Sequence, residues 1–84
     1  MPLFMDVHNN LPDGATAADV AAAHAEDVKI QDEYGVRYVN YWVDPAGGKV
    51  FCLVEAPDAD QAHAVHRAAH GLVADEIYQV QEGV

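Results

Sequence analysis

The stretch Val36–Ala56, VRYVNYWVDPAGGKVFCLVEA, decides the fold. Its first part is dense in Val, Tyr and Trp, whose shapes suit a pleated, half-buried surface. Asp44-Pro-Ala-Gly-Gly48 supplies turn residues, and Lys49–Ala56 is apolar again. The reading is two strands, 36–44 and 49–56, joined as a hairpin. Working outward, each side of the hairpin carries a helical pattern. Upstream, Ala17 to about Glu33 is alanine-rich. Thr16 is in position to cap it, with Asp19 completing a capping box, and Gly35 stops it. Val20, Ala23, Ile30 and Tyr34 recur there at helical spacing. Downstream, Asp58 caps a second helix, and Gln61 stands in capping-box position. Ala62, Val65 and Ala69 form its expected buried face, and Gly71 ends it.

The outermost segments read as strands. In residues 2–8, PLFMDVH, alternation sends Leu3, Met5 and Val7 one way and Phe4, Asp6 and His8 the other. Asn9–Gly14 is a turn-rich loop. Residues 72–81 form a last strand, with Ile77 and Val80 expected inward. The order β-α-β-β-α-β predicts an α+β, ferredoxin-like domain spanning residues 1–84. Right-handed crossovers place both helices on one face of a four-stranded antiparallel sheet ordered 4-1-3-2. The other face is left open, and Phe4, Asp6, His8, Tyr38, Asn40 and Trp42 are expected on it. An uncovered aromatic face is an interaction surface. A homodimer, sheet against sheet as in a dimeric α+β barrel, is the simplest way to cover it.

Composition narrows the function. Eighty-four residues barely support one core, so a metal or a partner subunit is a natural addition. Cys52 is the lone cysteine, which excludes a disulfide within the chain and suggests a buried thiol in a reducing compartment. The N-terminus lacks the basic start and long apolar run of a signal peptide. No run is long enough to span a membrane. We expect a cytoplasmic protein. Fourteen acidic residues face only Lys29, Arg37, Lys49 and Arg67, for a net charge of −10. Nucleic acid and anionic membrane are therefore excluded as expected partners.

The sharpest chemical signal is the row His63, His66, His70, spaced i, i+3, i+7 just before Gly71. At about 100° per residue all three project from one stripe of a helix. His66 lies roughly 65° from the centre of the apolar face, His70 roughly 105° and His63 roughly 125°. His66 is thus expected at the boundary and His63 nearest solvent. Topology brings His8, at the end of the first strand, to the same end of the domain as His66 and His70. His66 and His70, at i, i+4, can chelate one ion, as in a His-Glu-x-x-His helix. Arg67 stands where that motif needs its Glu, so metalloprotease chemistry is not supported. Asp6 or Glu55 offers a carboxylate. Such pairs also arise in helices without a ligand, and histidines near a helix C-terminus are favoured by the macrodipole. His24 reads as a surface or boundary residue and Cys52 as a packing residue. Convergence of His8 with the helical pair is what favours metal. Ordinary imidazoles would release the ion between about pH 7 and 5.

The blocks FMDVH (4–8), YWVD (41–44), VFCLVEAP (50–57) and VHRAAHGLV (65–73) resemble a family of small bacterial nickel-binding proteins, over nearly the whole chain. The resemblance implies a ferredoxin-like dimer linked to nickel response rather than catalysis. It implies His8, His66 and His70 as ligands, and Asp6, two residues before His8, joins them as the candidate carboxylate.

Two function classes follow. The first is a metal-binding protein for buffering, carriage or response, with Ni(II) expected and Zn(II), Co(II) or Cu(II) possible guests of the same donors. The second is a small dimeric α+β-barrel enzyme, of oxygenase or isomerase type. Asp6, His8, Tyr38, Asn40 and Trp42 would then line a pocket between the sheets, with His8 as general base.

Overall fold

The computed structural model describes residues 1–83 and has the expected element order. Strand β1 spans Leu3–His8 and helix α1 Ala17–Ile30, the latter continued by a single 3-10 turn, Gln31–Tyr34. Strands β2 (Arg37–Asp44) and β3 (Lys49–Glu55) form the hairpin. Helix α2 covers Ala59–Ala69 and strand β4 Glu76–Val80. All pairings are antiparallel, in the order β2-β3-β1-β4. That is the ferredoxin-like arrangement predicted, read from the other edge.

Local chemistry accounts for the boundaries. Thr16 Oγ1 accepts from the Asp19 amide, and the Asp19 carboxylate accepts from the Thr16 amide, so two orphan donors at the start of α1 are satisfied. Asp58 Oδ1 accepts from the Gln61 amide at the start of α2. Gly71 adopts φ +80°, and its amide bonds back to the His66 carbonyl. Such a left-handed step suits glycine and turns the chain out of α2.

The core lies between the sheet and the helices. Phe4, Val50, Cys52 and Val54 from the sheet meet Ala62 and Val65 of α2. This reverses the expected phase of β1. Phe4, Asp6 and His8 face the helices, while Leu3 and Met5 lie half-buried on the open side. Alternation defines two faces but not which one is covered. The Leu-Met-Val side looked the better core candidate only because an aspartate and a histidine share the other side with Phe4.

Strand β2 needs a second correction. Its register against β3 slips between Tyr38 and Asn40, where Val39 is the extra residue of a bulge. Tyr38 opposite Val54 therefore faces the helices and is buried, while Asn40 and Trp42 opposite Leu53 and Phe51 stay on the open face. The expected open face keeps Asn40 and Trp42 and loses Phe4, Asp6, His8 and Tyr38. In their place come Leu3, Met5, Phe51, Leu53 and Tyr78. Strand β4 begins at Glu76 rather than at residue 72, and its Ile77 and Val80 point to opposite faces.

Candidate metal centre

His66 is at the centre of the site. It sits on the α2 turn that faces α1 as well as the sheet, so it is 1% exposed rather than a boundary residue. A helix packed against two neighbours buries a wider arc than its apolar stripe. Its Nδ1 lies 2.9 Å from Asp27 Oδ1 and its Nε2 3.0 Å from Asp6 Oδ2. Two carboxylates accept at both ring nitrogens, so both nitrogens donate and the ring is an imidazolium. Burial works against that charge, yet the hydrogen bonds to Asp27 and Asp6 outweigh it and raise the His66 pKa to about 9. Burial likewise opposes ionisation of Asp6. Its hydrogen bond with His66 and the attraction of nearby His8 dominate and hold its carboxyl far below the usual range. Asp27 is lowered in the same way by His66 and His70.

Other groups surround this row. The Tyr38 hydroxyl has one proton to share between Asp6 Oδ2 at 3.2 Å and the Ala62 carbonyl at 3.0 Å. Burial and the Asp6 charge push its ionisation out of reach. His8 and His70 flank His66, each with its ring centre 5.0 Å away. His70 Nε2 lies 3.1 Å from Asp27 Oδ1, and its Nδ1 accepts from the Leu72 amide at 3.0 Å. His8 Nε2 is 3.4 Å from Asp6 Oδ1, close enough for attraction, but that buried oxygen has no hydrogen bond. Burial, then the Asp6 charge, raise the Cys52 thiol and keep it protonated.

Two sets of donor atoms result, each within 4.8 Å: Asp6, His8, Cys52 and His66, and Asp27, His66 and His70. A divalent ion fits the chemistry of both. Imidazole and carboxylate together suit borderline metals. Asp6 Oδ1 is a buried acceptor without a donor, which leaves a lone pair for an ion. A cavity of about 40 Å³ lies against His8, Asp27, His66 and His70. It exceeds the 10–15 Å³ or so that one water needs, so an ion with a water or two has room.

The four residues singled out from sequence, Asp6, His8, His66 and His70, lie together at one end of the domain. His8 and His70 fall in different donor sets, on opposite nitrogens of His66. Glu55 is apart, on the open side opposite Leu3 and Arg37. His63 is half-buried, and its buried Nδ1 has no hydrogen bond. His24 is a half-buried boundary residue: its ring lies 4.7 Å from the Tyr41 ring and it lines the same cavity. Asp27 was missed altogether. Its signal was a charge on the α1 stripe, where Val20, Ala23, Ile30 and Tyr34 leave position 27 as the gap. A pocket between paired sheets would hold neither Asp6, His8 nor Tyr38, because all three face the helices.

Comparison with known proteins adds a family. The family described as "Nickel responsive protein SCO4226-like" matches residues 4–80. A crystal structure of SCO4226 from Streptomyces coelicolor A3(2) superposes with a TM-score of 0.88 at 36% identity, covering 98% of this chain and 99% of that one. A search of curated proteins found no match.

Proposed function

The chain belongs to the family of SCO4226-like nickel-responsive proteins, and from that premise we propose that it binds Ni(II) through the imidazoles and carboxylates around His66. The observation that carries the reading is Asp6 Oδ1, a fully buried carboxylate oxygen without a hydrogen bond, beside His8 and His66. A protein gains nothing from leaving such an acceptor empty, whereas a cation uses it. The role in this reading is buffering, carriage or response, in keeping with a family described as nickel responsive. Zn(II), Co(II) and Cu(II) find the same donors, and Cu(II) is the tightest guest in a free choice.

Calorimetric titration of the chelator-stripped protein with Ni(II), repeated on the His66→Ala/His70→Ala double variant, tests this. Micromolar or tighter binding that disappears in the double variant is expected. Equal binding by both proteins would sink the reading.

The working unit in this reading is a homodimer through the open sheet face. Trp42 and Tyr78 are each about half exposed there, at 48% and 52%, beside half-buried Leu3, Met5, Phe51 and Leu53. A continuous apolar patch of this kind is costly to leave in water. The lone thiol of Cys52 suits the cytoplasm, where it stays reduced.

A further inference from the structure

We propose that the cavity between the 9–15 loop and the first turns of α1 binds a small organic cation, an amine carried on an apolar body. The cavity measures about 300 Å³, at the lower end of the volumes that small-molecule sites span. Its apolar walls are Leu11, Pro12 and Ala15 of the loop, Val20 and Ala23 of α1, and Leu72 beyond α2. Leu72 is 43% exposed, so part of this wall stands in water until a ligand covers it.

Charge selects the occupant. Asp13 and Asp19 line the same cavity, and among the described residues neither forms an ion pair with a Lys, Arg or His. Asp19 Oδ2 accepts from the Thr16 amide, which fixes the carboxylate and leaves its other oxygen to a ligand. An anion would meet two carboxylates and a chain of net charge −10. A neutral apolar molecule would fill the walls and leave both carboxylates without a partner. An amine answers both parts: its body displaces water from the walls, and its ammonium donates to the carboxylates. The walls are held before a ligand arrives, which lowers the cost of ordering them. The Leu11 amide donates to the Gly48 carbonyl at 2.9 Å. The Ala15 amide donates to the Pro12 carbonyl at 3.0 Å, closing the turn that carries Asp13. Leu11, Val20, Ala23 and Leu72 also line the smaller cavity beside the histidines, but Asp13, Ala15 and Asp19 do not. The amine site therefore uses none of the metal donors, and it stands without the metal-binding reading.

The test uses chelator-stripped protein, so that no metal holds the amine. Phenethylamine is titrated by amide NMR, beside its neutral counterpart phenethyl alcohol and its anionic counterpart hydrocinnamate. The amine should shift the amides of Leu11, Ala15, Val20 and Leu72. It should bind about tenfold more tightly than the alcohol, and hydrocinnamate should bind most weakly. Asp13→Asn, at an exposed turn position, should remove most of the preference for the amine and leave the alcohol's affinity unchanged. Ala15→Leu, which fills the larger cavity alone, should abolish binding of both, with circular dichroism reporting that the fold is kept. Equal affinity for amine and alcohol in wild type would overturn the choice of a cation. Amine shifts scattered over the acidic surface and unchanged by Asp13→Asn would mean diffuse attraction and overturn the site. An absence of shifts with all three probes would overturn it too. A Ni(II) titration of the same protein reads the metal site separately, so failure of one leaves the other standing.

Discussion

Asp6, His66 and Asp27 form a buried row in which one protonated ring stands between two anions, and the row ties stability to pH. The His66 pKa, about 9 when folded, lies above its ordinary 6.5. Its stabilisation is therefore complete below about pH 6.5 and is lost as pH rises through about 9. Asp6 and Asp27 lie below their ordinary 3.8, so their share is complete above about pH 4 and is lost on acidification. The metal-free protein should melt highest between these limits, and thermal denaturation followed by circular dichroism from pH 3 to 10 checks it. A midpoint still climbing between pH 7 and 9 would contradict the row. The same proton competes with metal. Nickel affinity should keep rising from pH 6 to 9, above the window of about pH 7 to 5 that ordinary imidazoles give. Titrations at three pH values read this directly. Replacing His66 by alanine removes the cation shared by two buried carboxylates, leaving only His70 beside Asp27 and Tyr38 and His8 beside Asp6, and should cost about 3–5 kcal/mol in urea denaturation. Asp27→Asn keeps an acceptor for Nδ1 and should cost less, about 1–3 kcal/mol.

At the scale of elements, the site depends on where α2 ends and on what α1 turns inward. Gly71 at φ +80° reverses the chain so that the Leu72 amide returns to His70 Nδ1. A Cβ there meets nothing within 4 Å, so the cost of Gly71→Ala is backbone strain alone. It should be about 1–2 kcal/mol. Urea denaturation measures that cost, and weaker nickel binding should accompany it because His70 loses its anchor. Loss of stability without change in binding would detach the turn from the site. The stripe of α1 explains why Asp27 was illegible. Its helical spacing is plain in the sequence, but a charge on a buried stripe has meaning only once its partner is known. His66 is 39 residues away on the other helix.

At the scale of the whole molecule, the sheet separates two surfaces. The titratable cluster lies on the helix side, and the apolar face with Trp42 and Tyr78 lies on the other. Trp42→Asp should therefore split a dimer into monomers without weakening nickel binding, since residue 42 and the cluster are on opposite faces. Sedimentation velocity paired with calorimetry reads both. A dimer that survives Trp42→Asp combined with Tyr78→Asp would place the interface elsewhere. Among the described residues no helix is long and apolar enough to cross a membrane.

The sequence by itself determined the element order, the caps at Thr16 and Asp58, the glycine stops, and the approach of His8 to His66 and His70. These depend on local propensity and on connection rules that act within a few residues or follow from chain direction. Tertiary structure alone decided which face of β1 is covered, because alternation is symmetric between faces. It alone decided that Tyr38 turns inward, because a one-residue bulge at Val39 leaves no mark in composition. It alone paired Asp27 with His66. A buried charge is tolerated only beside its counter-charge, and that neighbour is set by how two helices pack, which no stretch of sequence contains.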